Sequence, residues 1–273
     1  MSEPTRLSGR TAVITGAAGG IGRAVARSLA KRNCHVVLAD VNEAGLLETA
    51  RIAAELGVTA STHRLDVADA DAVAAFPAKI AERHPKIDIL VNNAGVAVGG
   101  RFEQVAPADF EWLFNINFWG VVRMTRAFLP VLRASDDARL VNLSSIFGIV
   151  APPGQAAYAA SKFAVRGFSE SLRQELSDST VGVLVVHPGG VATSISDSAR
   201  SPAGVSDEQI ARSRAAMKKL LKLPAEVAGE TIVRAIERRK QRVLVGKDAL
   251  ALAAVERIVP VGYWKVLGRS YRG

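Results

Sequence analysis

The sequence predicts an α/β fold in three layers, a doubly wound parallel sheet of about seven strands with helices on both faces. Three observations predict it. Short apolar, β-branched runs alternate with longer amphipathic stretches along the chain. Runs such as Ile87–Val91 are nearly continuously apolar, as strands covered on both faces are. A glycine cluster joins the first of these runs to the first helical stretch.

The runs that read as strands are Thr11–Thr15, His35–Ala39, Ser61–Leu65, Ile87–Asn92, Arg139–Leu143, Val181–Val186 and Arg242–Val245. Helical patterns cover Gly20–Lys31, Glu43–Leu56, Ala70–Arg83, Ala108–Arg133, Ala156–Leu176 and Ala225–Arg239. Strands separated by helices need crossover connections, and crossovers make the sheet parallel. The segment Val191–Pro224 is the least regular, rich in Ser, Ala and charge. An insertion of that length in a compact domain reads as a functional lid or mobile loop. No internal repeat or low-complexity run is visible. The expectation is one domain over 1–273, with a core at about 8–247, a substrate loop at about 191–224 and a basic tail at 248–273.

The chain has 273 residues, 49% of them apolar, enough for a substantial core without cross-links. Its one cysteine, Cys34, excludes an intrachain disulfide, fits a reducing compartment and reads as a buried strand residue. Met1 to Arg10 is polar and lacks an apolar signal core. No stretch of roughly 18 uncharged apolar residues occurs, so no transmembrane helix is expected and the expected location is cytoplasmic. The formal net charge is +9. Residues 1–199 balance at 19 basic and 19 acidic, whereas residues 200–273 hold 16 basic and 7 acidic. A basic patch attracts nucleic acid, anionic lipid or acidic substrates, or is simply a solvated helix face. No reading helix or other nucleic-acid motif accompanies it, so no nucleic-acid partner is expected.

The glycine cluster is Thr15-Gly16-Ala17-Ala18-Gly19-Gly20-Ile21-Gly22. Glycines there allow a tight turn and close approach of a pyrophosphate, and the helix N-terminus offers free amides. The next strand ends in an acid, Asp40, suited to the adenosine ribose hydroxyls and repulsive to a 2′-phosphate. Val41 and Asn42 follow it, with no cation, which favours NAD over NADP. Arg23 keeps NADP as the less favoured alternative, because its cation could lie near the phosphates.

Tyr158 and Lys162 stand four residues apart in a helical pattern and so share a face. An ammonium beside a phenol favours the phenolate, and such a pair exchanges a proton with an alcohol near neutral pH. Taken alone, Tyr-x-x-x-Lys is also a common surface pair. Ser145 ends one strand, Asn92-Asn93-Ala94-Gly95 ends another, and Pro188-Gly189-Gly190-Val191-Ala192-Thr193 follows a third. Strand C-terminal ends are where open parallel sheets bind ligands.

On these residues the chain resembles the short-chain dehydrogenase/reductase family, which has a Rossmann-type fold. The resemblance covers roughly 8–195 and continues more weakly to about 247. It implies a cofactor site made by Gly16, Gly20, Ile21, Gly22, Asp40, Asp66, Val67, Asn93, Ala94, Gly95, Tyr158, Lys162, Pro188, Gly189, Val191 and Thr193. Within it, Asp66 and Val67 meet the adenine, Asn93 touches the cofactor directly and Thr193 meets the nicotinamide carboxamide. The resemblance also implies the catalytic set Asn117, Ser145, Tyr158 and Lys162. Asn117 holds a water of the proton relay, or else marks a helix kink. Ser145 hydrogen-bonds the substrate oxygen, and the spacing to Tyr158 favours it over Ser144. Tyr158 is the general acid/base, and Lys162 binds the nicotinamide ribose and lowers the phenol's pKa. No position departs from the pattern.

The expected activity is hydride transfer between NAD and the CH–OH or C=O group of a small hydrophobic alcohol or ketone. Ser145, Phe147 and Tyr158 would contact the substrate, with Ala97, Val98, Ile146, Pro152, Pro153 and part of 191–224 as apolar walls. The alternative is a non-catalytic NAD-binding regulator on the same fold. His35, His63, His84 and His187 lack metal-ligand spacing and read as structural, so no metal is expected. The resemblance further suggests a homodimer or homotetramer packed through Ala108–Arg133 and Ala156–Leu176. The tail sets Tyr263 and Trp264 beside Lys265, Arg269 and Arg272. That pattern suits weak peripheral membrane contact, a subunit contact or a lid over an apolar substrate.

Overall fold

The computed structural model describes residues 4–202 and 204–268. Seven parallel strands form the main sheet in the order β3-β2-β1-β4-β5-β6-β9. They are β1 (Thr11–Thr15), β2 (His35–Asp40), β3 (Ala60–Arg64), β4 (Ile89–Asn92), β5 (Ala138–Leu143), β6 (Val181–Pro188) and β9 (Arg242–Val245). All seven strands expected from the apolar runs are present, with ends moved by up to two residues. A separate two-residue pair, β7 (Val191–Ala192) and β8 (Leu223–Pro224), closes the base of the segment between β6 and β9.

The two-residue period of a strand sends alternate side chains to opposite faces. Ala12 and Ile14 of β1, Val36 and Leu38 of β2, and Ile89 and Val91 of β4 enter one core layer. Val13, Val37 and Leu90 enter the other. The first layer is closed by α1 (Gly20–Ala30), α2 (Glu43–Glu55) and α8 (Ala225–Glu237), through Val25, Leu29, Leu46, Ile232 and Ile236. The second is closed by α3 (Ala70–Ala81), α5 (Gly120–Arg133) and α6 (Ala156–Glu175), through Phe76, Met124, Phe128 and Leu172. Both faces are covered, which is why the strands are apolar throughout.

Strand order reverses between β1 and β4, which pair through Ala12, Val13 and Ile14 against Ile89, Leu90 and Val91. The connections after β1 and β4 therefore part in opposite directions, and a crevice opens above the strands' carboxyl ends. The loops that carry the predicted site residues all lie at that end.

Three expectations need correction. The helix expected over Ala108–Arg133 is two helices, α4 (Pro107–Phe114) and α5, joined by a π turn at Asn115–Trp119. The segment 191–224 is less irregular than expected. It contains β7, β8 and α7 (Asp207–Leu220), whose start is a capping box between Ser206 and Gln209. The tail folds as α9 (Lys247–Ile258) and α10 (Tyr263–Leu267); Arg269 and Arg272 lie outside the described residues.

Helices α1 and α8 pack closely because Gly229 faces Ala24. A Cβ at Gly229 would lie 2.5 Å from the carbonyl carbon of Ala24 and 2.7 Å from its oxygen. Gly229→Ala should therefore destabilise the protein by about 1–3 kcal/mol, as overpacking does. Thermal unfolding should show a drop of roughly 2–4 °C per kcal/mol. An unchanged melting temperature would mean that this interface has slack.

Candidate active site

The glycine turn is built by contact as well as by conformation. Gly16 has φ +65°, and a Cβ there would lie 2.7 Å from Asn93 Nδ2 and 2.8 Å from Ala94 Cα. A Cβ on Gly22 would lie 2.1 Å from the Gly16 carbonyl oxygen. Asn93 locks the turn: its Nδ2 donates to the carbonyls of Thr15 (3.0 Å) and Gly16 (2.9 Å), and its N–H donates to Thr15 Oγ1 (3.0 Å). Both amide hydrogens are thus committed to the turn, and only Asn93 Oδ1 is left for a direct contact. Ala94 N–H also donates to Thr15 Oγ1, at 3.1 Å. The N-cap of α1 is Gly19, which supplies no side chain to the first amides of the helix, those of Gly20, Ile21 and Gly22.

Asp40 closes the outer side of this turn. Its Oδ2 accepts the Ala18 N–H and its Oδ1 the Asn42 N–H, both at 3.0 Å. Each oxygen keeps lone-pair capacity toward the crevice. Arg23 donates to Thr49 Oγ1 and to the carbonyls of Ala18 and Gly45. It braces the turn through neutral acceptors, keeps its charge and stands on the wall of a cleft beside α1. Asp66 Oδ1 accepts the Ala68 N–H at 2.9 Å. Val67 is buried where the start of α5 approaches it, at Gly120.

Across the crevice, Pro188 is buried at the end of β6, and Val191 pairs with Leu223. Gly189 N–H donates to the Val245 carbonyl at 2.9 Å, and Gly190 N–H to Asp248 Oδ2 at 2.6 Å. Thr193 comes close to the glycine turn: a Cβ on Gly20 would lie 3.0 Å from its Cγ2. A cleft of about 600 Å³ runs beside α1, with Gly20, Arg27, Thr193, Ser194 and Lys218 on its walls. Tyr158 and Ser145 do not line it.

The four residues of the expected catalytic set converge. Ser145 caps a 3-10 turn at Ile146–Gly148, its Oγ accepting the Phe147 N–H at 3.1 Å. That leaves the hydroxyl proton free for Tyr158, whose phenol Ser145 pulls down against the effect of burial. Ser144 points the other way, donating to the Lys162 carbonyl at 2.8 Å. Lys162 is buried one turn beyond Tyr158, its Nζ 5.7 Å from the phenol ring centre and 3.1 Å from the Leu143 carbonyl it donates to. An ideal Cβ on Gly95 would lie 3.3 Å from Asn117 Oδ1 and 3.5 Å from Lys162 Nζ, so the loop after β4 meets both.

Asn117 is fully buried within the π turn, so the kink reading and the site reading hold together. Its Oδ1 accepts the Val96 N–H (2.8 Å), and its Nδ2 donates to the Val96 carbonyl (3.0 Å) and Ser161 Oγ (3.2 Å). The side chain is a clamp between the loop after β4 and α6.

Burial pushes the Tyr158 phenol above its ordinary value, and the bond from Ser145 pulls it only partly back. Lys162 is not among the causes. Burial also pushes the Lys162 ammonium down, to about 8. Desolvation disfavours the charged form of each group.

Of the expected walls, Phe147 meets Tyr158 edge-on at 6.2 Å. Val98 and Ile146 are buried instead, Ile146 in a small cluster with Ile149, Val150 and Ala249. Tyr263 packs against that cluster, and its hydroxyl accepts the Ala151 N–H at 2.9 Å. Ile258 and Val261 face outward, Val261 with 96% of its surface exposed. Cys34 is buried, its thiol pushed up to about 12, and so is inert. Sequence reasoning missed Asp248 as a support of the site and offered Tyr263 only within a tail read, among other options, as a lid over an apolar substrate; His187, read as structural, reaches the Ser145 carbonyl with its ring. Hydrogen-bonding side chains in an otherwise apolar strand or tail were the available signal.

The sheet order, the crevice and the side chains above it are those of an α/β oxidoreductase. Residues 10–204 match the family described as short chain dehydrogenase. The chain is 41% identical over 263 residues to the "Putative oxidoreductase SadH" of Mycobacterium tuberculosis, covering 96% of this chain and 95% of that protein. Its fold is similar to a short chain dehydrogenase/reductase from Burkholderia phymatum in complex with NAD. There the TM-score is 0.86 at 31% identity, over 93% of this chain and 94% of that one. It is also similar to an alcohol dehydrogenase from the archaeon Thermococcus sibiricus complexed with 5-hydroxy-NADP. The TM-score is 0.68 at 29% identity, over 86% and 95% of the two chains. The chain belongs to the short-chain dehydrogenase family and is an oxidoreductase of that family.

The state of Lys162 has a measurable consequence. Folding lowers its pKa from 10.5 to about 8, so between those values the unfolded chain binds more protons than the folded one. Stability contributed by this group therefore rises with pH across that window. Below it, the buried charge costs on the order of 3 kcal/mol. Lys162→Met should be more stable than the parent at neutral pH, with the advantage shrinking as pH approaches 10.5. Denaturant melts at several pH values check this; a variant less stable than the parent at neutral pH would contradict it.

Proposed function

We propose that the protein is an NAD-dependent dehydrogenase or ketone reductase for a small hydrophobic alcohol or ketone. The observation that carries the reading is the grouping of buried Ser145 and Lys162 with half-buried Tyr158 beyond the carboxyl end of β5. A protein that only bound a dinucleotide as a signal would not need a tyrosine with a serine hydroxyl and an ammonium gathered on it.

The residues fit a nicotinamide dinucleotide. The uncapped start of α1 and the close-packed Gly16 and Gly22 form a cradle that side chains would fill. Gly16, Gly20, Ile21 and Gly22 would hold the pyrophosphate, Asp40 the adenosine ribose, and Asp66 and Val67 the adenine. Asn93, Ala94, Gly95, Pro188, Gly189, Val191 and Thr193 would line the remaining length. The preference for NAD rests on Asp40, which Val41 and Asn42 follow with no cation between them. Bound there, the nicotinamide supplies the hydride acceptor or donor.

In reduction, the neutral phenol of Tyr158 donates its proton to the carbonyl oxygen while the Ser145 hydroxyl holds the same oxygen. In oxidation, the phenolate takes the hydroxyl proton. Lys162 has donors beyond the one spent on Leu143 and can hold a ribose hydroxyl or pass a proton. The Asn117 side chain is committed to Val96 and Ser161, so a water of the relay would sit on its main-chain oxygen in the π turn. Phe147, edge-on to Tyr158, supports an apolar substrate. The segment 191–224, with α7 on it, would act as the substrate loop.

Two partner surfaces follow. Phe110 stacks on Phe114, Phe114 meets Phe118 edge-on and Phe118 touches exposed Trp119; with exposed Phe163 on α6, these offer a face suited to a second copy of this chain. We read the tail as a wall of the site in preference to a membrane contact, because Tyr263 is spent on Ala151. Among the described residues, no helix is long and apolar enough to cross a membrane.

The test is a screen of hydrophobic alcohols and ketones with NAD and NADP separately, read by the absorbance of reduced nicotinamide. NAD should be preferred, and Asp40→Ser should narrow the preference. Tyr158→Phe should lower kcat by about a thousandfold, the usual range for an acid/base group, while leaving NADH binding intact. A Tyr158→Phe variant with most of the parent's activity would defeat the reading.

A further inference from the structure

We propose that His187 is a positioning residue for this reaction: its Nδ1–H fixes the main chain at Ser145, and through it the hydroxyl that faces Tyr158. The proposal rests on the dehydrogenase reading above.

His187 is fully buried at the penultimate position of β6. Its Nδ1 lies 2.9 Å from the Ser145 carbonyl oxygen. A carbonyl only accepts, so Nδ1 carries the proton and Nε2 is the bare acceptor. Nε2 is buried and has no hydrogen-bond partner among the described residues. A second proton there would be buried with nothing to receive it. Accordingly, burial pushes the imidazolium down to about 4, and the ring is neutral over any ordinary working range. The charged groups around it are Arg242 on β9 and Arg166 and Glu170 on α6; the last two pair with each other at 3.0 Å.

The placement is where the sheet needs it. Pairing of β5 with β6 ends at Leu143 opposite Val186, and Ser144 N–H donates to the Val186 carbonyl at 2.9 Å. At Ser145 the chain leaves the sheet for the 3-10 turn, and no further rung is available. The His187 ring adds one, from side chain to main chain. Gly148 N–H donates to the same Ser145 oxygen at 2.9 Å, so both of its lone pairs are filled, one from the turn and one from the sheet. With Phe147 N–H on Ser145 Oγ, the orientation of the hydroxyl is set from three sides. The preceding residues, Val183–Val186, are wholly apolar, and an unsatisfied Nε2 is a cost an aliphatic residue would avoid. The Nδ1–H bond is what the histidine offers against that cost.

Three variants test this. His187→Asn brings an amide N–H to the Nδ1 position, His187→Gln brings one to the Nε2 position, and His187→Val has no donor. Each is measured for melting temperature, NADH binding by fluorescence, kcat and KM, and the alkaline titration of phenol absorbance. Only Tyr158, Tyr263 and Tyr271 contribute to that titration, and the difference from Tyr158→Phe isolates Tyr158. The groups facing the Tyr158 phenol are Ser145 from the end of β5 and Lys162 from its own helix.

His187→Val and His187→Gln should bind NADH like the parent and lose about tenfold in kcat, the scale of one hydrogen bond. They should also titrate Tyr158 at higher pH, because a displaced Ser145 hydroxyl no longer pulls the phenol down. His187→Asn should restore both. If His187→Val does not fold, the Asn and Gln pair decides. Equal kcat and equal phenol titration in the folded Asn and Gln variants overturns the proposal, whether both match the parent or both fail. A parent that binds NADH and turns over nothing defeats the dehydrogenase reading, while the titration still decides His187.

Discussion

A lysine ammonium held in a dry space beside a phenol is the constraint that the rest of the site serves. Lys162 is almost wholly buried, and the acceptor it reaches is one main-chain oxygen, that of Leu143. A charge so placed needs fixed surroundings, because any drift of α6 relative to β5 removes that acceptor. The corner between β5 and α6 is accordingly tight. Ser144 donates to the Lys162 carbonyl, and a Cβ on Gly148 would lie 2.2 Å from Ser144 Oγ and 2.7 Å from the Lys162 oxygen. Only glycine lets the turn after Ser145 lie against the helix that carries Tyr158.

The rotation of α6 is set by polar side chains inside an apolar layer. Asn92 at the end of β4 donates to Asn142 Oδ1 at 2.9 Å and to Thr125 Oγ1 at 3.2 Å. Asn142 in turn donates to Ser169 Oγ at 3.0 Å. This seam joins β4, β5, α5 and α6, and apolar packing alone would not distinguish one rotation of the helix from the next so sharply. Asn117 adds a second tie, from the loop after β4 to Ser161. With α6 held at two levels, Tyr158 and Lys162 share the face turned toward the crevice.

How much of this was legible follows from what each pattern encodes. Alternation of apolar runs and amphipathic stretches encodes layers, and it located the seven main strands; only their ends moved. Four-residue spacing encodes a shared helical face, and it placed Tyr158 over Lys162. Neither pattern encodes burial depth, and burial is what pushes the Tyr158 phenol up and the Lys162 ammonium down. The π turn at Asn115–Trp119 has no periodic signature, since one added residue leaves the helical pattern looking continuous. Helix α7 did have one, Ser206 followed by Gln209 ahead of a helix-forming run, but its exposed, mixed surface hid it. The two-residue strands β7 and β8 are too short for any period to register. The committed amide of Asn93 and the ring of His187 are tertiary facts, visible only once the strand ends are side by side.

The loops after β5 and β6 share a physical problem: beyond the strand ends they have no ladder of their own, yet they must hold groups in place. They borrow hydrogen bonds from distant chain. Asp248, at the start of α9, accepts the Gly190 N–H, and its carboxylate sits where a Cβ on Gly189 would be, 2.3 Å away. Tyr263, on α10, takes the Ala151 N–H beyond the Ser145 turn. Leu223 N–H closes on the Gly190 carbonyl at 2.9 Å. The tail therefore has a structural reason to exist beyond the seventh strand: one helix pair braces both sides of the crevice, and its apolar contacts with Ile146, Ile149 and Val150 make the brace stiff. A change in the tail would then be felt first where the loops are weakest, at the two walls, and the strands beneath would remain as they are.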